Sequence, residues 1–309
     1  MVRKVSVIGA GNVGANLALY LAEKDFADII ILDIIDGLPQ GKALDIFQSS
    51  PITDFNSLVI GTNDYRDTTG SDVVVITSGS SRKPGMTRNE LLEINAKIVS
   101  EVTHNLVKYS PDCIILVVTN PVDTMTYLAL KISGFKPNRV MGLSGVLDGA
   151  RLSSFIASKL KASPADVSSL VLGEHGKNML IIPRLVTVRG KPITKLLPMK
   201  TINQLIERTI NGGAEIVSML KTGSAFYAPA AAAALMVEAI VKDKKEVLPC
   251  AAFLQGEYGI EDVVIGVPVK LGKNGIEEIV ELELVSEEKV ALQDSAREVR
   301  QLIESINLP

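Results

Sequence analysis

The chain has 309 residues, 47% hydrophobic and 22% charged, which is typical of a globular protein with two domains. It carries 32 basic and 35 acidic residues and no basic patch, which argues against a nucleic-acid partner. The longest apolar stretch, residues 225–237, is too short to cross a bilayer, and no secretion signal is present. We therefore expect a cytoplasmic protein with no membrane partner.

The first 143 residues alternate short β-branched runs with longer helical patterns. They predict strands at 5–8, 29–32, 58–61, 73–77, 114–118 and 140–142, and helices at 13–24, 40–48, 89–109 and 122–133. Several of these strands are apolar without alternation, as expected for strands buried on both faces. Repeated strand–helix–strand units predict an α/β fold with a doubly wound parallel sheet of the Rossmann type.

The pattern changes near residue 144, so we predict two domains, residues 1–143 and 144–309. The second half predicts helices at 201–221 and 226–242, a hairpin turn at Arg189-Gly190, and strands at 247–254, 263–271 and 276–284. Glycines separate those three strands, which favours an antiparallel sheet in an α+β domain. Ser286, followed by two glutamates, is expected to cap a last helix.

Cysteine usage indicates the redox and metal chemistry of the chain. Cys113 and Cys250 lie in apolar runs far apart, which predicts two buried thiols rather than a disulfide. No Cys/His spacing is typical of a metal site, so we predict none.

The segment Gly9-Ala-Gly11-Asn-Val-Gly14 follows the first predicted strand and opens the first helix. Its glycines permit a tight turn, approach of the backbone to a pyrophosphate, and close packing of helix on strand. N–H groups at the start of the helix would meet the phosphate charge. The segment therefore predicts a dinucleotide site, although the same glycines also suit an ordinary turn.

Asp33 ends the second predicted strand, where a carboxylate could accept hydrogen bonds from a ribose diol or, alternatively, cap a helix. A 2′-phosphate would be repelled by Asp33 and Asp36, and residues 34–40 contain no Arg or Lys. The predicted cofactor is therefore NAD rather than NADP.

The chain has two histidines. His104 projects opposite the apolar face of its predicted helix, which indicates solvent or a subunit contact. His175 lies in Gly173-Glu-His-Gly176, a glycine-flanked loop after an apolar run. From these residues alone it is either a catalytic or an incidental loop histidine.

Five segments together resemble the lactate/malate dehydrogenase superfamily: GAGNVG with Asp33, SRKPGMTR at 81–88, VTNPVD at 118–123, LDGAR at 147–151 and GEHG at 173–176. Their order and spacing match, and the resemblance runs from residue 2 to the C-terminus. It is nearest to the lactate-dehydrogenase-like group of malate dehydrogenases. The resemblance implies NAD-dependent interconversion of (S)-malate and oxaloacetate, with lactate dehydrogenase as the alternative. Because relatives form dimers or tetramers, it also implies a homo-oligomer, and we favour a tetramer.

The resemblance also implies roles for individual residues. His175 would be the general acid/base, and Asp148 would accept the N–H of its other ring nitrogen. Arg151 would bind the substrate C1 carboxylate, and Asn120 would donate to a substrate oxygen. By themselves, Asp148 and Arg151 would suit a surface ion pair, and Asn120 a strand-ending turn. The implied cofactor residues are Gly9, Gly11, Asn12, Val13, Gly14, Asp33, Asn95, Val118 and Asn120.

Residues 79–88 combine glycines, a proline and three cations, a pattern typical of a mobile lid. By resemblance, Arg88 would polarise the substrate C2 carbonyl and Arg82 would select the substrate, since lactate enzymes generally have Gln there. A guanidinium enclosed over a methyl group would cost roughly 3–5 kcal/mol. We therefore expect a dicarboxylate substrate to be preferred over lactate or pyruvate by a factor of about a thousand or more.

Two function classes outside this reaction fit the sequence less well. An NAD-dependent glycoside hydrolase needs a metal site, and Cys113 and Cys250 lie away from the expected one. A nucleotide sensor without catalysis would not need His175, Asp148 and Arg151 together.

Overall fold

The computed structural model describes residues 3–80 and 87–306, except the side chain of Arg88. The strands are β1 (Arg3–Ile8), β2 (Ala27–Leu32), β3 (Val59–Thr62), β4 (Val73–Ile76), β5 (Ile114–Val117), β6 (Val140–Gly142), β7 (Val167–Ser168), β8 (Val171–Gly173), β9 (Met179–Ile181), β10 (Thr187–Val188), β11 (Lys191–Pro192), β12 (Glu246–Gln255), β13 (Glu261–Gly272) and β14 (Gly275–Ile279). The helices are α1 (Asn12–Glu23), α2 (Leu38–Thr53), α3 (Arg88–Tyr109), α4 (Val122–Ser133), α5 (Gly145–Leu160), α6 (Met199–Ile210), α7 (Gly212–Leu220), α8 (Tyr227–Val241) and α9 (Ser286–Glu304).

The first six strands form a parallel sheet in the order β3-β2-β1-β4-β5-β6, which confirms the predicted doubly wound arrangement. Alternate residues of a strand enter different cores. Val73 and Val75 of β4 belong to the core that contains α1, whereas Val74 and Ile76 belong to the core that contains α3 and α4. Burial on both faces explains why the strand sequences are apolar without alternation.

The antiparallel strands continue the parallel sheet. β12 pairs with β13 and β13 pairs with β14, antiparallel as predicted. β13 also pairs with β8, and β8 pairs with β9, again antiparallel, and these two pairings were not predicted. Ala251 of β12 pairs with Gly142 of β6, so the two sets of strands share one sheet. In the small sheet β7-β10-β11, Arg189 and Gly190 have φ of 48° and 73° and form the predicted hairpin turn.

One helix over 201–221 was predicted, and that prediction is wrong. α6 ends at Ile210 and α7 begins at Gly212, with Asn211 between them at φ −90° and ψ 0°. Glycine is a poor helix former, and Gly212 packs so closely that an added Cβ would lie 3.3 Å from Arg151 Cδ. The break thus coincides with two glycines and with a close contact to α5.

Two other predicted boundaries differ from the structure. The strand predicted over 276–284 ends at Ile279, because the Tyr258 hydroxyl donates to the Val280 carbonyl and accepts from Leu282 N–H beyond it. Ser286 is the first residue of α9 rather than its cap, and Glu288 accepts the Val285 N–H at 3.1 Å.

Cys113 and Cys250 are buried free thiols, as predicted, and burial raises the pKa of Cys113 to about 12. No helix within residues 3–80 and 87–306 combines the length and apolar character needed to cross a membrane.

Candidate active site

The glycine turn between β1 and α1 leaves one position open. Gly9 has a φ of +110°, and an added Cβ would lie 2.7 Å from Ser78 N. A Cβ on Gly14 would overlap the carbonyl oxygen of Gly9, whereas one on Gly11 would meet nothing within 4 Å. Gly9 and Gly14 thus close the turn against β4, and the backbone at Gly11 can be approached from outside.

The start of α1 faces the same side as this open position. Gly11 caps the helix without a side-chain hydrogen bond, so the N–H groups at Asn12 and Val13 have no side-chain partner in the cap. A helix start of this kind attracts negative charge. Gly9, Gly11, Gly14 and the start of α1 thus form a glycine cradle that suits a pyrophosphate in both shape and charge.

Asp33 follows β2 and is fixed by two backbone groups. Its Oδ2 accepts the Ala10 N–H at 2.7 Å and its Oδ1 accepts the Ile35 N–H at 3.0 Å. It caps no helix, since α2 begins after Gly37. Each carboxylate oxygen retains a second lone pair, so a ribose diol can still donate to it.

Asn95 differs from the other predicted cofactor residues because protein partners occupy its amide. It is 1% exposed, its Oδ1 accepts Ser80 N–H at 2.7 Å, and its Nδ2 donates to the carbonyls of Ser80 and Asn120. Asn95 therefore ties the segment after β4 to the segment after β5. The Asn120 side chain is exposed, and Asn120 lines a cavity together with Val13 and Val118.

His175, Asp148 and Arg151 meet as predicted. Asp148, 1% exposed, accepts from His175 Nδ1 at 2.7 Å and from Arg151 Nη1 at 3.0 Å. The His175 and Arg151 side chains are 13% and 14% exposed. Asp148 and Arg151 lie one turn apart in α5, on one face, and their burial rules out the alternative of a surface ion pair.

The loop that carries His175 is held on two sides. Gly173 has a φ of +84° at the end of β8, and Ser295 of α9 accepts the Glu174 N–H at 2.8 Å. On the other side, Asp123 of α4 accepts the His175 N–H at 2.8 Å. Asp123 is the last residue of the VTNPVD motif, and the resemblance implies no role for it. An acidic residue in the first turn of the helix that follows Asn120 was the sequence feature that could have indicated a role for Asp123.

His175 opens onto a cavity of about 300 Å³ between the two halves of the chain. The cavity is lined by Val13, Val118, Asn120, Leu143, Leu147, Arg151, His175, Gly176, Met179, Ile210, Gly213, Ala214, Val217, Ser224, Ala225 and Pro229. Arg151 Nε is buried and has no hydrogen-bond partner among the described residues. Most of the lining residues are apolar, and Asn120, Arg151 and His175 supply polar groups that a small anionic substrate could use.

Two carboxylates control the charge of His175. Burial opposes its protonation, but the charge and hydrogen bond of Asp148 and the charge of Asp123 outweigh that effect and raise the pKa of His175. Arg151 acts in the opposite direction. Desolvation raises the pKa of Asp123 to about 7. His175 therefore holds a proton more readily than an unperturbed imidazole, which suits proton transfer near neutral pH.

The two arginines predicted to close over the substrate cannot be placed. Arg82 lies outside the described residues, and so does the side chain of Arg88. In the part of the chain that the structure describes, no cluster of three or more His, Cys, Asp or Glu could hold a metal ion. His104, on α3, is exposed, with Nδ1 2.8 Å from the Ser100 carbonyl.

Known proteins share this architecture along the whole chain. The malate dehydrogenase of Dehalococcoides mccartyi is 56% identical over 305 residues, which is 99% of each chain. The structure of malate dehydrogenase from Salinibacter ruber matches with a TM-score of 0.94 at 50% identity, covering 98% of this chain and 97% of that one. A lactate dehydrogenase from Cryptosporidium parvum, solved with lactic acid and β-nicotinamide adenine dinucleotide, matches with a TM-score of 0.96 at 41% identity over 100% and 99% of the two chains.

Family models agree with these relatives. The lactate/malate dehydrogenase NAD binding domain matches residues 3–142, and the lactate/malate dehydrogenase alpha/beta C-terminal domain matches residues 145–307. The glycine cradle lies in the first of these matches and His175 in the second. The chain belongs to the lactate/malate dehydrogenase family.

Proposed function

We propose that the chain is an NAD-dependent malate dehydrogenase that interconverts (S)-malate and oxaloacetate. The observation that carries the proposal is the buried His175–Asp148–Arg151 group at a cavity beside the glycine cradle. The full-length identity to malate dehydrogenases supports the same substrate. NAD, when bound, supplies the acceptor for the hydride that leaves C2 of malate.

The residues of the cradle fit that cofactor. Gly11 leaves its backbone open to a pyrophosphate, Gly9 and Gly14 shape the turn, and Asn12 and Val13 begin the helix beneath it. Asp33 would accept from the adenosine ribose and repel a 2′-phosphate. Val118 and Asn120 would bound the cofactor on the cavity side, and Asn95 would hold that edge in place.

His175 would move the proton. Its Nδ1 is bonded to Asp148, which leaves Nε2 for the substrate hydroxyl. In malate oxidation, neutral His175 takes the hydroxyl proton, and in oxaloacetate reduction the imidazolium returns it. Asp148 keeps the ring in the correct tautomer and stabilises its positive charge.

Arg151 would bind the C1 carboxylate of the substrate. Asp148 takes a hydrogen bond from Nη1, and Nη2 and Nε remain for a ligand. Gly212 and Gly213 keep the space beside the guanidinium free of side chains. Asn120 would donate to the substrate oxygen on C2. A carboxylate in this position would give the buried Nε the partner that it lacks.

The preference for a dicarboxylate would come from Arg82, with Arg88 stabilising charge on the C2 oxygen. Ala225, a small residue in the cavity wall, leaves room for a second carboxylate. Lactate dehydrogenase is the second candidate, because the Cryptosporidium parvum lactate dehydrogenase is equally similar in fold. The choice of substrate therefore depends on the side chain at position 82 and not on the fold.

NADH oxidation with 2-oxo acids that differ in side-chain charge tests this proposal. Purified protein should turn over oxaloacetate with a kcat/KM about a thousandfold or more above that for pyruvate. A preference for pyruvate would make the chain a lactate dehydrogenase, and no turnover with any 2-oxo acid would contradict a dehydrogenase function.

Arg82→Gln tests the origin of the preference. Loss of the guanidinium should lower oxaloacetate turnover by orders of magnitude while pyruvate turnover is retained or rises, because the cost of enclosing an unpaired cation disappears. Unchanged oxaloacetate kinetics would refute the specificity argument. Lys83→Gln, in the same segment, is the matched control for loss of one positive charge.

We further propose that residues 1–143 form the cofactor domain and residues 144–309 the substrate domain of a cytoplasmic homo-oligomer, with a tetramer favoured over a dimer. The two family models support the division by meeting between residues 142 and 145. Sedimentation equilibrium of the purified chain tests the tetramer.

A further inference from the structure

Asp123 is a buried acid beside His175 that the proposed reaction does not use. It lies in the first turn of α4 and is 5% exposed. Its Oδ2 accepts the backbone N–H of His175, 52 residues later in the chain, at 2.8 Å. The carboxylate therefore joins a helix of the parallel-sheet half to the loop that holds the proposed acid/base.

The second oxygen of Asp123 distinguishes it from a simple structural anchor. Oδ1 is buried, and within the described residues it has no hydrogen-bond partner. A buried carboxylate oxygen without a donor is unfavourable unless a nearby positive charge or dipole compensates for it. The start of α4 supplies a favourable dipole, and the His175 ring supplies positive charge that favours the ionised form of Asp123.

The charges that face this pair come from two elements. The loop after β8 contributes Glu174, which raises the pKa of Asp123, and α5 contributes Asp148 and Arg151. Asp148 and Asp123 both raise the pKa of His175, whereas Arg151 and burial lower it. Asp123 is thus, after Asp148, the next largest source of negative charge that raises the pKa of His175.

We propose that Asp123 is a positioning residue with two functions: it fixes the main chain at His175, and its charge stabilises the protonated ring. The proposal rests on the acid–base role of His175 given above. Asp148 sets the tautomer through Nδ1, and Asp123 sets where the ring is placed and shares in holding its proton. In oxaloacetate reduction this keeps the imidazolium, the proton donor, populated toward higher pH.

Asp123→Asn separates the two functions, because an amide oxygen can still accept the His175 N–H while the charge is lost. With saturating NADH, the alkaline limb of kcat/KM for oxaloacetate should move about one unit to lower pH. Above pH 7 the Asp123 carboxylate of the wild type is mostly ionised, so the loss of its charge should affect the alkaline limb more than the acid side of the profile. The plateau kcat and the affinity for NADH should stay within about threefold of wild type.

Asp123→Leu removes both functions and leaves the His175 N–H buried without an acceptor. We expect the same shift in pH and a further fall in kcat of about tenfold or more. Glu174→Gln is the matched control, because it removes a carboxylate next to His175 that contributes less to the pKa of the ring than Asp123 does. It should leave the alkaline limb in place.

A pH profile for Asp123→Asn that coincides with wild type overturns the electrostatic part of the proposal. An unchanged kcat in folded Asp123→Leu overturns the anchoring part. If either of these results is found and His175→Asn still abolishes activity, only the role of Asp123 is refuted and the proposed function is retained. Activity that survives His175→Asn contradicts the proposed function itself.

Discussion

Replacement of Asp148 by Asn changes the carboxylate that links His175 to Arg151. Both oxygens of Asp148 accept hydrogen bonds, one from His175 Nδ1 at 2.7 Å and one from Arg151 Nη1 at 3.0 Å. Asn has nearly the same size but only one acceptor, so either the ring or the guanidinium must face an NH₂ group. In the variant, the His175 ring is no longer held in the correct tautomer, the Arg151 guanidinium is no longer held in place, or both.

The structure sets the size of the effect. Each lost hydrogen bond involves a charged group and contributes about 1.5–3 kcal/mol. Because 1.36 kcal/mol corresponds to a factor of ten, loss of one bond predicts a fall in kcat/KM for oxaloacetate of about 10- to 10²-fold, and loss of both predicts a fall of at most about 10⁴-fold. The two losses are not expected to add fully, since they share one side chain.

The pH dependence gives a second signature. Asp148 raises the pKa of His175, so the variant should have a lower one. Oxaloacetate reduction needs the imidazolium, and the variant should lose it at lower pH than wild type. Malate oxidation needs the neutral ring and should become active at lower pH.

The assay is steady-state NADH oxidation and malate-dependent NAD reduction across pH 5–9, with folding checked by circular dichroism. Asp166→Asn, which breaks an ion pair with Arg189 away from the site, is the control and should match wild type. A folded Asp148→Asn protein with wild-type kcat/KM and pH limbs would refute the proposed coupling of Asp148 to His175.

Two further predictions concern the cofactor cradle and the packing of α1 on α8. Gly11→Ala should keep its stability within about 1 kcal/mol but bind NADH at least about tenfold more weakly by fluorescence titration, because its methyl fills the open cradle. Gly14→Ala should instead lose about 1–3 kcal/mol of stability, since its Cβ overlaps Gly9. Equal effects of the two variants on stability and on NADH affinity would contradict the separate roles given to these glycines. Burial opposes ionisation of Glu238, but hydrogen bonds from Lys24, Lys242 and Lys244 lower its pKa to about 2. With a normal value of 4.5 the shift corresponds to about 3.4 kcal/mol, and the partly exposed lysines reduce this to about 2 kcal/mol. In urea unfolding at pH 7, Glu238→Gln should therefore be less stable than wild type by that amount. The difference in stability should disappear as the pH falls below 4.5 toward 2. A difference that does not change with pH would be inconsistent with these ion pairs.

The parallel sheet could be predicted because its sequence signals are local. Runs such as residues 73–77 are β-branched and apolar on both faces, and Gly9 to Gly14 must form a turn whose backbone few other residues could adopt. Features that depend on contacts between distant residues could not be derived in this way. The pairing of Gly142 with Ala251 joins the two sets of strands, and no periodicity signals it.

The break between α6 and α7 shows the same limit. The helical pattern runs through residues 201–221, and two glycines weaken a helix without ending it. At the break, Gly212 packs against the side chain of Arg151, a residue 61 positions earlier in the chain, and no local pattern indicates this contact. The Tyr258 hydroxyl similarly ends β14 from 22 residues away.

The site was predicted by a different route. His175 and Asp148 lie 27 residues apart, and spacing alone does not bring them together; the resemblance of five motifs does. The structure places both, with Arg151, in one buried group. The resemblance assigned no role to Asp123, whose hydrogen bond joins it to the backbone of His175.

His175→Asn is the most direct test of the central claim that this imidazole carries the proton of a dehydrogenase reaction. General acid–base catalysis contributes about 10²–10⁴ in rate. With NADH affinity unchanged by fluorescence titration, kcat for oxaloacetate reduction should fall by about 10³. A kcat within tenfold of wild type, with cofactor binding intact, would contradict the account.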